Sequence, residues 1–263
     1  MTNDAPAKII VTDEGPVRLL TLARPEALNA FDTDLYLALG AALDEARADD
    51  AVHVVVVTGQ GRAFSAGQDL KEMTRMATAG PDEEITSGFP ALVDALITFD
   101  KPLVAAVNGV AMGGGFETAL ACDIIVAAEN AVFALPEPRV GLMAGSGVHR
   151  LPRMIPQKQA LGMILTGRRV SAAEGFTLGF VNEVVPVGEA LAAAKRWADQ
   201  ILECSPMAIR ASKQVVYKSL DEPTLAAAMT RTYPAQDVNL KSQDYIEGPR
   251  AFAERRKPNW QNR

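Results

Sequence analysis

LVAAVNGVAMGGGFE (Leu103–Glu117) decides how this chain folds. Leu103 to Val107 is a short apolar run that reads as a buried strand. It stops at Asn108-Gly109, and Gly113 to Gly115 follow just before Glu117. Glycine after a strand lets the backbone come close to a ligand, and the N–H groups opening the next helix carry the positive end of its dipole. Upstream, the β-branched run Val52 to Thr58 ends at Gly59 and leads into Gly61-Arg62-Ala63-Phe64-Ser65-Ala66-Gly67-Gln68-Asp69-Leu70. Each loop alone fits either a phosphate or oxyanion site or a plain turn.

Working outward, Lys8 to Val11 and Val17 to Leu22 read as a hairpin around Glu14-Gly15-Pro16. Asp32 to Ala48 reads as a helix with Asp32 or Thr33 as N-cap and Leu35, Leu39 and Leu43 on one face. Strands alternating with amphipathic helices give an α/β class over the first two thirds. From about Gly188 the pattern becomes almost continuous helix, with Pro206, Pro223 and Pro234 near helix ends. The division expected is a core of residues 1–187 and a helical region of 188–263 within one structural unit. Glu247-Gly248-Pro249 reads as a break before a charged helix from Arg250 to Lys257.

Composition removes several classes. With 263 residues, 48% hydrophobic, the chain can bury a large core, and a formal net charge of −6 without a basic run argues against nucleic acid or an anionic membrane as main partner. Met1 to Lys8 is polar and lacks the apolar region of a secretory leader, and no later stretch is long and apolar enough to cross a bilayer, so a cytoplasmic location is expected. Two cysteines, Cys122 and Cys204, and two histidines, His53 and His149, lie far apart, which leaves little to build a zinc site. Both cysteines read as packing residues. A dinucleotide fingerprint needs a small residue where Phe64 follows Gly59 and Gly61, and a P-loop needs Lys-Ser/Thr where Phe116-Glu117 follows Gly115. Gly145-Ser146-Gly147 lacks the form of a hydrolase nucleophile turn.

The combination of segments is more specific than any one of them. Arg24-Pro25-Glu26-Ala27-Leu28-Asn29-Ala30, Ala63 to Leu70, Gly113 to Glu117 and Leu135-Pro136-Glu137 occur in an order and spacing that resemble the enoyl-CoA hydratase/isomerase (crotonase) family. Leu165 to Arg168, Gly179 to Val185 and Glu247 to Phe252 extend the resemblance over nearly the whole chain. Gly115-Phe116-Glu117, Phe133 to Glu137 and the C-terminal segment are nearest to its carnitinyl-CoA dehydratase branch.

The resemblance implies a spiral of repeated ββα units and a helical C-terminal region for contacts in a homotrimer or dimer of trimers. It also implies an acyl-CoA thioester substrate, with no metal or redox cofactor beyond the coenzyme A of the substrate itself. Carried over, Gln68 and Gly114 supply backbone N–H groups to an oxyanion hole. Glu117 holds and deprotonates water, and Glu137 gives a proton to C2. An apolar pocket around Met112, Phe116, Phe133 and Leu135 would raise both glutamate pKa values by desolvation. Ala66, Asp69, Leu70 and Lys71 fall along the coenzyme A path. Lys71 reads either as a contact to the adenine or phosphate end or as a solvated helix charge, and Arg24 as a phosphate contact or a strand cap. The implied activity is reversible hydration of a 2-enoyl-CoA, with an enoyl-CoA isomerase or a catalytically weak acyl-CoA-binding protein as alternatives. Ala144 to Leu151 is one residue shorter than the family turn, which bears on how the Glu137 loop sits.

Overall fold

The computed structural model describes residues 7–78 and 88–263. Most of the N-terminal reading, Met1 to Pro6, therefore falls outside the described residues. These divide into two compact units, one made of the chain up to Phe99 with Leu103–Trp197, the other of Asp100–Pro102 with Ala198–Arg263.

The first unit carries two sheets. One orders β1 (Ile9–Glu14), β2 (Val17–Leu22), β3 (Val54–Gly59), β5 (Leu103–Val107), β7 (Ile124–Ala128) and β10 (Glu183–Val185). The β1–β2 hairpin is antiparallel and every later pairing in this sheet is parallel. The smaller sheet orders β4 (Ala63–Ser65), β6 (Val110–Met112), β8 (Val132–Ala134) and β9 (Val170–Ser171). Successive turns of chain place one strand in each sheet: β3 then β4 before α2 (Leu70–Thr78), and β5 then β6 before α4 (Gly114–Ala121). The chain thus winds as a spiral of ββα units, as the resemblance implies.

The β3 sequence VVVVTG is buried throughout, as a parallel strand covered on both faces must be. Helix α1 (Thr33–Ala48) begins where the Asp32 side chain accepts a hydrogen bond from the Leu35 N–H, and it buries Leu35, Leu39 and Leu43. Such a cap contributes about 1 kcal/mol. Among the chain's cysteines, Cys122 is buried in this core, whereas Cys204 is exposed, contrary to a packing role for both. Phe116, Phe133 and Phe180 form a three-ring cluster with centroids 5.2 or 5.3 Å apart. The bulk of Phe116 is therefore taken up by core packing, and truncating it to Ala would cost about 3–5 kcal/mol.

The second unit is helical. After the end of α8 (Ala190–Leu202) come α9 (Pro206–Ser219), α10 (Leu225–Thr230), α11 (Pro234–Leu240) and α12 (Gln243–Ala253). Pro206 and Pro234 open their helices, where a missing N–H costs nothing. Pro249, by contrast, lies inside α12 rather than breaking the chain before it. Tertiary anchors outweigh its local preference. Ser242 caps the helix, the Asp244 carboxylate accepts from Ser205 Oγ and Gln261 N, the Trp260 ring lies beside Gly248, and Ala251 is buried. No helix among the described residues is long and apolar enough to cross a membrane.

Candidate active site

The site lies entirely within the first unit, where the loops after β4 and β6 meet. A Cβ placed on Gly67 would stand 2.7 Å from the Met112 carbonyl oxygen, so only glycine permits this approach, and its φ of +91° lies in the left-handed region. Segment 28–31 holds the first loop from its other side. Phe31 N donates to Gly67 O (2.7 Å), Asp69 N to Phe31 O (2.8 Å) and Ala66 N to Leu28 O (2.9 Å). Along extended chain, neighbouring N–H groups alternate in direction. With Gly67 and Asp69 bonded to Phe31, the Gln68 N–H is directed away from it.

Side chains reinforce this loop. Ser65 Oγ donates to Asn29 O and accepts from Gly67 N, while Asn29 Nδ2 donates to Gln60 O and Ala63 O. The Arg24 guanidinium donates to Ala30 O and Asp69 Oδ2 (3.0 Å) and pairs with Asp32 (3.1 Å). Its terminal nitrogens are thus already engaged by protein. Asp69 in turn accepts from Lys71 N at the start of α2, and with Arg24 beside it its carboxyl stays below the usual range despite partial burial. Leu70 and Lys71 are exposed, and Ala66 is half-buried.

The second loop turns through Gly113, whose φ is +48°, into α4. Gly114 is the first residue of that helix, so its N–H has no intrahelical partner. Glu117 sits one turn along and is 5% exposed. Its Oε1 accepts from Ser146 N (2.6 Å) and Gly147 N (2.7 Å), the residues that open α5 (Gly147–Met154). The short Ala144–Leu151 turn therefore holds Glu117, with its helix N-terminus presented to the carboxylate.

Glu137 opens a 3-10 turn, Glu137–Val140, just after β8. A Cβ on Gly113 would lie 2.9 Å from Glu137 Oε1 and 3.8 Å from the Gly67 Cα, so this carboxyl stands against Gly113, where the two glycine loops approach each other. Its Oε2 is enclosed without a hydrogen-bond partner among the described residues.

Desolvation sets the electrostatics of both glutamates. It raises the Glu117 pKa, opposed by the Gly147 and Ser146 N–H groups and by Arg150. It raises Glu137 to about 7, opposed by its own backbone N–H and assisted by the charge of Glu117. The two carboxyls thus differ: Glu117 is the more deeply buried but is held by two backbone N–H donors, whereas Glu137 lacks such a pair among the described residues and keeps its proton to near neutrality.

Tyr36 belongs to this site and was not legible as such. In the sequence it sits beside Leu35 as another buried helix-face residue. Its hydroxyl nevertheless lies next to Gly114. Phe89, opening α3 (Phe89–Thr98), likewise meets the Gly145 turn from a distant part of the chain. The Ser146 and Gly147 N–H groups were also missed, because backbone donors leave no trace in residue type.

Comparison with known proteins matches the chain to a family in sequence and fold. The enoyl-CoA hydratase/isomerase family model matches residues 12–263. A carnitinyl-CoA dehydratase of Salmonella enteritidis PT4 is 41% identical over 261 residues, covering 96% of this chain and 98% of the relative. The crystal structure of an enoyl-CoA hydratase from Mycobacterium tuberculosis H37Rv superimposes with a TM-score of 0.87 at 35% identity, covering 97% of this chain and 99% of that one. An enoyl-CoA hydratase from Polaromonas sp. JS666 gives 0.89 at 35% identity, with 96% and 99% covered. With two glycine loops joined, two glutamates against them and sequence likeness along nearly its whole length, the chain belongs to the enoyl-CoA hydratase/isomerase family, on the hydratase and dehydratase side.

Proposed function

We propose that this protein adds water reversibly across the 2,3 double bond of an enoyl-CoA thioester. The observation that supports this reading best is the pair of unequal carboxyls beside the two loops: Glu117 held by two N–H donors, Glu137 with an enclosed, unpartnered oxygen and a pKa of about 7.

In the hydration direction, ionised Glu117 takes a proton from water as the water oxygen bonds to C3. The C2=C3 electron pair shifts toward C2 and the thioester oxygen, where the N–H groups of Gln68 and Gly114 stabilise the developing enolate. One such donor is worth about 3 kcal/mol. Glu137 then gives its proton to C2. Transfer of the proton from Glu117 to Glu137 restores the starting state, and dehydration runs the same steps backwards.

Ala66, Asp69, Leu70 and Lys71 are the proposed contacts along the coenzyme A moiety, and exposed Lys71 at the head of α2 is the charge available to a phosphate. Arg24 acts from behind the loop through Asp69. The chemistry calls for no metal or redox cofactor. The working form proposed is a cytoplasmic homotrimer or dimer of trimers assembled through the C-terminal helices.

The direct test follows the loss of conjugated-thioester absorbance with a panel of 2-enoyl-CoA substrates, using chelator-treated protein. Turnover that falls on the order of 10²-fold or more in Glu117→Gln and in Glu137→Gln supports the reading. Coenzyme A esters that bind without turnover across the panel would refute it.

A further inference from the structure

Tyr36 lies in the first turn of α1 and is 3% exposed. Its ring stacks on Phe31, with centroids 4.6 Å apart and planes 15° apart, and meets Phe89 edge-on at 5.7 Å. These two contacts fix the ring plane and therefore the direction of the hydroxyl. A Cβ placed on Gly114 would stand 2.7 Å from Tyr36 Oη. Helical Cα–Cβ bonds tilt toward the N-terminus. The hydroxyl thus stands at the N-terminal end of α4, the end toward which the Gly114 N–H points.

Among the described residues this hydroxyl makes no hydrogen bond, and it is not one of the fully enclosed unpartnered atoms. A phenol held in place by its ring contacts, with a hydroxyl that no protein group among the described residues occupies, is placed to donate to a ligand. Burial, followed by the charges of Glu117, Glu137 and Glu72, pushes the Tyr36 pKa upward. The phenol remains a neutral donor whatever the state of the two carboxyls. Its neutrality suits a donor aimed at an oxygen that gains negative charge during reaction. Glycine at 114 serves the same arrangement, because any side chain there would displace the phenol.

Resting on the hydratase reading above, we infer that Tyr36 is a further catalytic residue, its hydroxyl donating a hydrogen bond to the thioester oxygen of the bound enoyl-CoA alongside the N–H groups of Gln68 and Gly114.

Tyr36→Phe removes one oxygen and keeps both ring contacts, so the fold should tolerate it. The expected result is a kcat lower by roughly 10- to 100-fold on every enoyl-CoA tested, with KM within about threefold, as for an interaction made mainly in the transition state. The urea midpoint should not fall. Acetoacetyl-CoA provides a second readout independent of turnover, because its enolate absorbs in the near ultraviolet and carries the charge the hydroxyl is proposed to meet. Its enolate band should weaken and its Kd rise about tenfold in the variant. Unchanged kcat and an unchanged enolate band would overturn the inference. So would a loss confined to substrates with polar acyl chains, which would place the hydroxyl on the acyl group instead. Wild type that binds the enolate but hydrates nothing would refute the hydratase reading alone, and the enolate comparison would still decide the role of Tyr36.

Discussion

Replacing Glu137 by Gln should make the protein more stable in mild alkali while removing its activity. The wild-type carboxyl moves from 4.5 to about 7 on folding, chiefly through desolvation, and one of its oxygens is enclosed without a partner. Taken at face value, that rise is roughly 3.4 kcal/mol of differential interaction between the protonated and ionised forms. The group is half-buried rather than sealed, so solvent screening reduces the usable figure to about 1–2 kcal/mol. The folded chain binds the proton more tightly than the unfolded chain. Stability from this group is therefore fully present below about pH 4.5 and is lost as pH rises through about 7. Glutamine has nearly the same shape and never ionises, so it escapes that loss. Urea unfolding at fixed protein concentration should give nearly equal stabilities at about pH 5, and a Glu137→Gln advantage of about 1–2 kcal/mol at about pH 8.5. A variant less stable than wild type at the higher pH, or a difference that does not change with pH, would refute the reasoning and make Glu137 an ordinary structural residue.

The same titration predicts parallel pH profiles for the two directions of reaction. Each direction needs the one proton that Glu117 and Glu137 share, and the reaction releases none, so kcat/KM should fall about tenfold between about pH 6 and pH 8 in both directions; a profile that stays flat over that range would exclude this assignment of roles. Gly67→Ala forces a Cβ to within 2.7 Å of the Met112 carbonyl at a φ of +91°, so it should destabilise by about 1–3 kcal/mol and depress kcat as the two loops separate. Near-wild-type stability and activity in that variant would show that the loops have room to spare. Because the Arg24 guanidinium is occupied by Ala30, Asp32 and Asp69, Arg24→Gln should lower kcat by a similar factor, on the order of tenfold, for a coenzyme A thioester and for a pantetheine thioester lacking the nucleotide. A rise in KM limited to the coenzyme A ester would instead assign Arg24 to the phosphate.

Much of the architecture was legible because period and punctuation are local. The Val17 to Leu22 and Leu103 to Val107 strands carry their own β-branched or apolar runs and stop signals, and Asp32 announces the start of α1 as its cap. The loops that matter could be found for the same reason, since clustered glycines next to Glu117 are visible in any reading of the chain. Glu137 was legible only through likeness to a family, as nothing near it in sequence requires it to meet Gly113.

Other features depend on groups that meet only after folding. Pro249 breaks a helix by local preference, but Ser242, Asp244 and Trp260 hold α12 through it. The pKa of Glu137 depends on how much water the assembled pocket excludes, which no stretch of sequence encodes. The donors to Glu117 are backbone N–H groups of residues 146 and 147, identical in kind to those of every other non-proline residue. Tyr36 reads as one more buried aromatic until the fold brings Gly114 to its hydroxyl. The sequence by itself determined the order of strands, helices and glycine turns, because hydrophobic period and backbone freedom act over a few residues. Only the tertiary structure decided which oxygen faces which donor and how tightly each carboxyl keeps its proton, because desolvation and hydrogen-bond direction arise between segments distant along the chain.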